Sequence, residues 1–182
     1  MKKIILTVLI LPLTFMVLNA QKYMTRSGYI GFYSHTPVED IKADNNQVAS
    51  ILDLESGELV FQVLMRSFRF EKKLMEEHFN ENYVESEKFP KATFNGKISG
   101  YQGMDIQKNG KYDVTVVGEL TLHGVSREVS EKGTITINGG KIEAQSVFII
   151  KPEDYNIEIP KIVSNKIARE IEVTVKISYD TM

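Results

Sequence analysis

Lys111-Tyr112-Asp113-Val114-Thr115-Val116-Val117-Gly118-Glu119-Leu120-Thr121-Leu122 alternates apolar and polar side chains along most of its length. Successive side chains of a strand point to opposite faces. Tyr112, Val114, Val116, Gly118, Leu120 and Leu122 therefore share one face, and Lys111, Asp113, Thr115, Glu119 and Thr121 mostly share the other. One face buried and one face wet is the signature of an antiparallel strand. The same reading extends outward in both directions. Residues 92–100 set Ala92, Phe94 and Ile98 against Thr93, Asn95, Lys97 and Ser99. Residues 127–137 place Val129, Ile135 and Ile137 on one side. Residues 141–150 do the same with Ile142, Ala144, Phe148 and Ile150, and residues 170–179 with Ile171, Val173, Val175, Ile177 and Tyr179. Three further strands are predicted over residues 25–35, 46–54 and 58–68, with Phe61, Val63 and Met65 as the inward set of the last.

Between these runs stand Ser56-Gly57, Asn109-Gly110, His123-Gly124 and Asn138-Gly139-Gly140. Glycine supplies the positive φ of tight hairpins, so neighbours in sequence are expected to be antiparallel neighbours in space. One stretch breaks the period of two. Phe70, Leu74, Met75, His78 and Phe79 fall at helical spacing, with Lys72, Lys73, Glu76 and Glu77 expected in solvent. This predicts a short helix over about residues 70–80, between the third and fourth strands, closing one end of the molecule. A second irregular piece is expected over residues 152–165. Eight antiparallel strands with one apolar face must hide that face. An all-β barrel does so without exposed edges and leaves room inside for side chains or one small ligand. A two-sheet sandwich is the competing closure.

Three segments resemble those of a known family. Phe89-Pro90-Lys91-Ala92-Thr93-Phe94, the hairpin Gly118-Glu119-Leu120-Thr121-Leu122-His123-Gly124-Val125, and Asp154-Tyr155-Asn156-Ile157 occur in the order found in YceI-like proteins. The resemblance covers residues 28–180. It implies an eight-stranded antiparallel lipocalin-like barrel, a polyisoprenoid or similar long amphiphile as ligand, and a periplasmic setting. The chain departs from the family pattern in two places. The Arg-Asp-x-His-Leu element before the Phe-Pro segment is replaced by Leu74-Met75-Glu76-Glu77-His78-Phe79, and there is no Trp.

A lipid tail needs a long apolar cavity. The candidate lining is Phe61, Val63, Met65, Phe79, Phe94, Val114, Val116, Leu122, Phe148 and Ile150. By pattern alone these residues read as a packed core; the resemblance favours a cavity. His123 reads as a turn residue, His78 as a structural or pocket-capping residue on the helix stripe, and His35 as a loop residue. Their spacing suggests no metal site. No nucleophile elbow, phosphate loop or His-Glu-x-x-His is present, and the adjacent carboxylates Glu76-Glu77 and Glu153-Asp154 read as solvated. No catalytic residues, no metal and no cofactor other than a bound isoprenoid lipid or quinone are expected.

Lys2 and Lys3, an apolar run over residues 4–18 and then Asn19-Ala20 have the layout of a cleavable export signal. The run falls short of the roughly 20 residues of a spanning helix, which disfavours the alternative of a membrane anchor. Cleavage after Ala20 would leave residues 21–182 as one periplasmic or secreted domain. The chain has no cysteine, which excludes disulfides and thiol chemistry. A net charge of −2 offers no footprint for nucleic acid, and no second apolar run could span a membrane. The expected function is a carrier or store for an isoprenoid-type lipid, with an amphiphilic small molecule as partner and dimerisation left open. Three other readings compete: a packed barrel that binds a protein partner through its surface, an enzyme acting on a lipid within the barrel, and a histidine-based metal sensor.

Overall fold

The computed structural model describes residues 22–181, and the expected export segment lies outside them. Nine strands form one antiparallel sheet. They are β1 (Lys22–His35), β2 (Asp40–Asp53), β3 (Glu58–Leu64), β4 (Arg69–Phe70), β5 (Lys91–Ile98), β6 (Gly110–Leu122), β7 (Val125–Asn138), β8 (Lys141–Ile150) and β9 (Ile171–Thr181). The order around the wall is β1-β9-β8-β7-β6-β5-β3-β2, and β2 returns to pair with β1. The sheet is therefore a closed ring of eight strands, a barrel and not a sandwich. The two-residue β4 is a stub that pairs only with Ala43 and Asp44 of β2.

The stretch that suggested the fold is among the most regular parts of it. β6 pairs with β7 without interruption from Gly110↔Ile137 to Leu122↔Val125. A two-residue loop joins them, with His123 at φ 51° and Gly124 at φ 74°, as a type I′ hairpin requires. Directly opposite residues share a face, so Val116 and Glu131, and likewise Gly118 and Val129, look into the barrel together.

Several boundaries differ from those expected. β1 begins at Lys22 and β2 at Asp40, because the two strands continue pairing to His35↔Asp40 despite polar residues at both ends. β3 stops at Leu64; Met65–Ser67 form a 3-10 turn before the chain rejoins β2. Asn109-Gly110 is not a hairpin turn, since Gly110 opens β6 and a loop over residues 99–109 spans from β5. That loop folds Tyr101, Met104 and Ile106 against the core, and the Tyr101 hydroxyl donates to the Leu54 carbonyl. The helix is shorter than expected: α1 spans Lys73–His78 and continues as a π-helical turn, Phe79–Tyr83. Glu76 does not face solvent freely. Its carboxylate accepts from the Phe70 N–H at 3.3 Å and faces Arg69 at 3.4 Å.

One end of the barrel is solid. Leu52, Ile137 and Ile142 are fully buried there, and Ser50 Oγ lies 2.8 Å from the Tyr179 hydroxyl inside the same layer. In the wall, Gly96 of β5 faces Gly118 of β6. A Cβ on Gly118 would collide with the Asn95 carbonyl and the Gly96 Cα, and one on Gly96 with the Phe94 ring and the Val117 carbonyl. Both glycines point inward, so their missing side chains allow two strands to approach and Phe94 to lie over the gap. Gly118→Ala is expected to lower stability by about 1–3 kcal/mol, the range for overpacking, and Gly118→Val by more. Urea denaturation of the three proteins side by side checks the order.

Candidate functional site

The other half of the barrel is not solid. Above the buried layer, β1, β3, β5, β6, β8 and β9 turn apolar side chains toward space that nothing fills. An inner chamber of about 140 Å³ lies at mid-barrel. An outer chamber of about 540 Å³ lies beyond it, toward α1 and the irregular segment between β8 and β9. Both are bounded by Ile30, Val63, Ala92, Leu120 and Phe148, which form the waist between them.

The outer chamber takes one wall from four phenylalanines. Phe79 packs at 5.5 Å on Phe32, 5.6 Å on Phe68 and 5.1 Å on Phe70, measured between ring centres. Each such pair adds about 0.5–1.5 kcal/mol beyond area burial, so the cluster fixes the short α1 segment to the barrel rim although α1 itself buries no residue. The opposite wall comes from Ile157, Ile159, Val163 and Ile167. Leu74 lines this chamber while remaining 61% exposed, so the chamber reaches solvent beside α1.

The inner chamber is formed by Phe61, Phe94, Val114, Val116, Val129 and Ala144, among others. Phe61 and Phe94 meet edge to face at 6.3 Å. One ionisable carboxyl, that of Glu131, borders it. Partial burial raises this carboxyl from its ordinary value, and its charge in turn helps to raise the Tyr155 hydroxyl.

All ten residues expected to line a cavity border one of the chambers. Phe61, Phe94, Val114 and Val116 border the inner one, Met65, Phe79, Leu122 and Ile150 the outer, and Val63 and Phe148 both. The period of two placed the strand residues. Phe79 followed from the helical stripe. Sequence reasoning missed the second outer wall, because residues 157–167 carry no regular period. It also missed Glu131, although the signal was present: a carboxylate at an inward position between Val129 and Ile135.

The histidines separate. His35 ends β1 in the open, with Nδ1 2.6 Å from Asp40. His78 is exposed on α1 and borders the outer chamber. His123 is a turn residue, as expected, but also the centre of a clasp. Its Nδ1 lies 3.0 Å from the Tyr155 carbonyl oxygen and its Nε2 2.9 Å from the Glu85 carboxylate. The Phe89 ring stands edge-on to the imidazole at 4.6 Å and also covers Gly124. Arg127 pairs with Asp154 at 3.1 Å beside it. The Phe-Pro segment, the His-Gly hairpin and the Asp-Tyr-Asn segment thus meet at one point outside both chambers. Among the described residues, no group of three His, Asp or Glu side chains is arranged to hold a metal ion.

The model of the YceI-like domain family matches residues 23–179. Several solved structures share the fold. A polyisoprenoid-binding domain from Saccharophagus degradans, implicated in plant cell wall breakdown, superposes with a TM-score of 0.75 at 15% identity, covering 90% of this chain and 100% of that one. BcnA from Burkholderia cenocepacia gives 0.70 at 18% identity over 85% and 96% of the two chains. A YCEI protein from Campylobacter jejuni gives 0.60 at 18% over 81% and 88%. A search among curated proteins returned no sequence relative. At these identities the structures establish the shared fold alone.

The clasp yields a stability prediction. His123→Ala removes two hydrogen bonds from a side chain that is 9% exposed. It also leaves the Tyr155 carbonyl without this donor. A loss of about 1–3 kcal/mol is expected, with faster amide exchange in residues 79–90 and 152–157 than in β6. Uniform exchange rates across both sets would refute the clasp.

Proposed function

The chain belongs to the YceI-like family, and on that premise we propose that it is a non-enzymatic carrier or store that buries the tail of an isoprenoid-type lipid or quinone. The observation that carries this reading is the pair of adjoining apolar chambers inside a barrel whose other end is well packed. An apolar cavity left empty forfeits contacts on every side chain that lines it, so its presence calls for an occupant. Affinity needs little more than length. Each buried methylene contributes about 0.8 kcal/mol, hence roughly 3–4 kcal/mol gross for a five-carbon isoprene unit. A few units offset the association cost of about 4–15 kcal/mol. A polyisoprenoid, the ligand class of the Saccharophagus domain, fits the same shape. The competing reading of a packed interaction module requires a filled interior, which the two chambers do not support.

The reading includes export. The basic start, the apolar run and Ala20 serve as a cleaved signal, and the mature protein works in the periplasm or outside the cell, where lipids must cross water between membranes. An intact-mass measurement on protein isolated from its own host is expected to give a chain starting at Gln21.

Native mass spectrometry of that protein, followed by solvent extraction, tests the carrier role. A reproducible co-purifying species of isoprenoid mass is expected, and a lipid-free protein that also fails to take up added isoprenoids would refute the proposal. Phe94→Arg and Val116→Arg each place a charge in the inner chamber without a partner. Both variants are expected to lose bound lipid, and full loading of either one, once shown to be folded, would show that the inner chamber takes no part.

A further inference from the structure

The barrel wall is not continuous beside the inner chamber. β7 stays paired with β6 up to Val125, and β8 stays paired with β9 up to Ile150. The β7–β8 ladder, however, ends at Gly133↔Ser146. Above that point the two strands part, and Ser146 Oγ donates to the Lys132 carbonyl at 2.6 Å. The segment Pro152–Tyr155 lies against the upper part of the split, held by Arg127 Nε donating to the Asp154 carbonyl at 2.6 Å. Glu131 stands on β7 in the split region, turned inward opposite Val116.

Its surroundings are unusual for a carboxylate. The chamber it borders is mostly apolar, with Val116, Val129 and Phe148 in its lining, and Glu131 is its one ionisable carboxyl. Among the described residues Glu131 makes no ion pair and accepts no hydrogen bond, and its partial burial raises its pKa. A leucine at this place would complete the apolar lining. A carboxyl at this place can accept a hydrogen bond from a ligand donor that reaches the chamber.

We propose that Glu131 reads the polar end of the ligand, so that the inner chamber accepts an uncharged end group bearing an O–H or N–H donor and rejects an anionic one. The inference rests on the carrier reading above and adds an orientation to it: polar end at mid-barrel, tail in the outer chamber. The volumes agree with this division. An apolar cavity of about 150 Å³ accommodates a benzene ring, so the 140 Å³ chamber suits a compact end group. The 540 Å³ chamber suits a chain. The carboxyl accepts from an alcohol, amide or ring hydroxyl. A diphosphate offers no such donor and brings negative charge against it.

The test uses delipidated mature protein and three probes with related branched skeletons: geranylgeraniol, geranylgeranyl diphosphate and the hydrocarbon phytane. Each competes with tritiated geranylgeraniol. Wild-type protein is expected to prefer the alcohol to the diphosphate by about tenfold or more. Glu131→Gln keeps an acceptor but removes the charge, so it should still bind the alcohol while most of the discrimination disappears. Glu131→Leu should lose about tenfold of the preference for the alcohol over phytane and still bind both. Unchanged ratios in the two variants, or a wild type that favours the diphosphate, would overturn the role of Glu131 and leave the carrier reading standing. Failure of the wild type to bind any of the three would overturn the carrier reading and this inference together.

Discussion

Closure of the wall is the constraint on which the rest depends. β1 pairs with β9 on one side and with β2 on the other, and this double pairing converts a curled sheet into a ring. Backbone hydrogen bonds then hold the shape whether or not the interior is filled. In a sandwich the two sheets are held together by the side chains between them, and emptying that layer would remove its cohesion. Here the cohesion runs around the circumference, so the interior can remain open. The fully buried Leu52, Ile137 and Ile142 close one end, and the four-phenylalanine cluster narrows the other.

Inward glycines make the ring possible at this radius. Gly96 and Gly118 let β5 and β6 approach each other. Gly28, at the bulge in β1, leaves room for the Ile177 side chain in the same way. The His123 clasp acts at a different level. It ties the chain entering β5 and the segment after β8 to the β6–β7 hairpin. Those are the pieces that no ladder holds. Residues forming the family resemblance therefore secure the irregular parts of the barrel, while the chamber lining is ordinary alternating strand. This division explains how the Leu74–Phe79 stretch can depart from the family pattern while the fold stays intact.

The strands and their inward faces were legible because a period of two is dictated by backbone geometry alone. Residues 111–122 state both the element and its buried side. What the pattern could not carry was the point at which pairing stops. Nothing in the alternation of residues 127–137 or 141–150 announces that β7 and β8 separate above Gly133, because side-chain parity persists in an unpaired strand. The wall over residues 157–167 was invisible for the opposite reason: its apolar residues follow no period, and only tertiary contact makes Ile157, Ile159, Val163 and Ile167 a surface. The helix was legible in type but not in extent. Its apolar stripe continues into Phe79, but a π-helical turn follows His78, and one wide turn shifts every later residue around the axis.

Glu131 was legible and easily passed over. In a strand whose inward positions are Val129, Glu131, Gly133, Ile135 and Ile137, a single carboxylate reads as imperfect alternation. The structure removes that escape, since β6 fixes the register on both sides of it and Val116 opposite is plainly inside. A slip of one residue would turn every other apolar side chain of β7 outward, so the register cannot adjust to move this one residue off the inner face. The sheet is thus committed to an inward carboxyl as firmly as to its apolar neighbours. An apolar lining and a single inward acid thus meet at one place. A ligand with a donor at one end and a chain at the other matches both, which is the physical reason for placing the polar end beside Glu131.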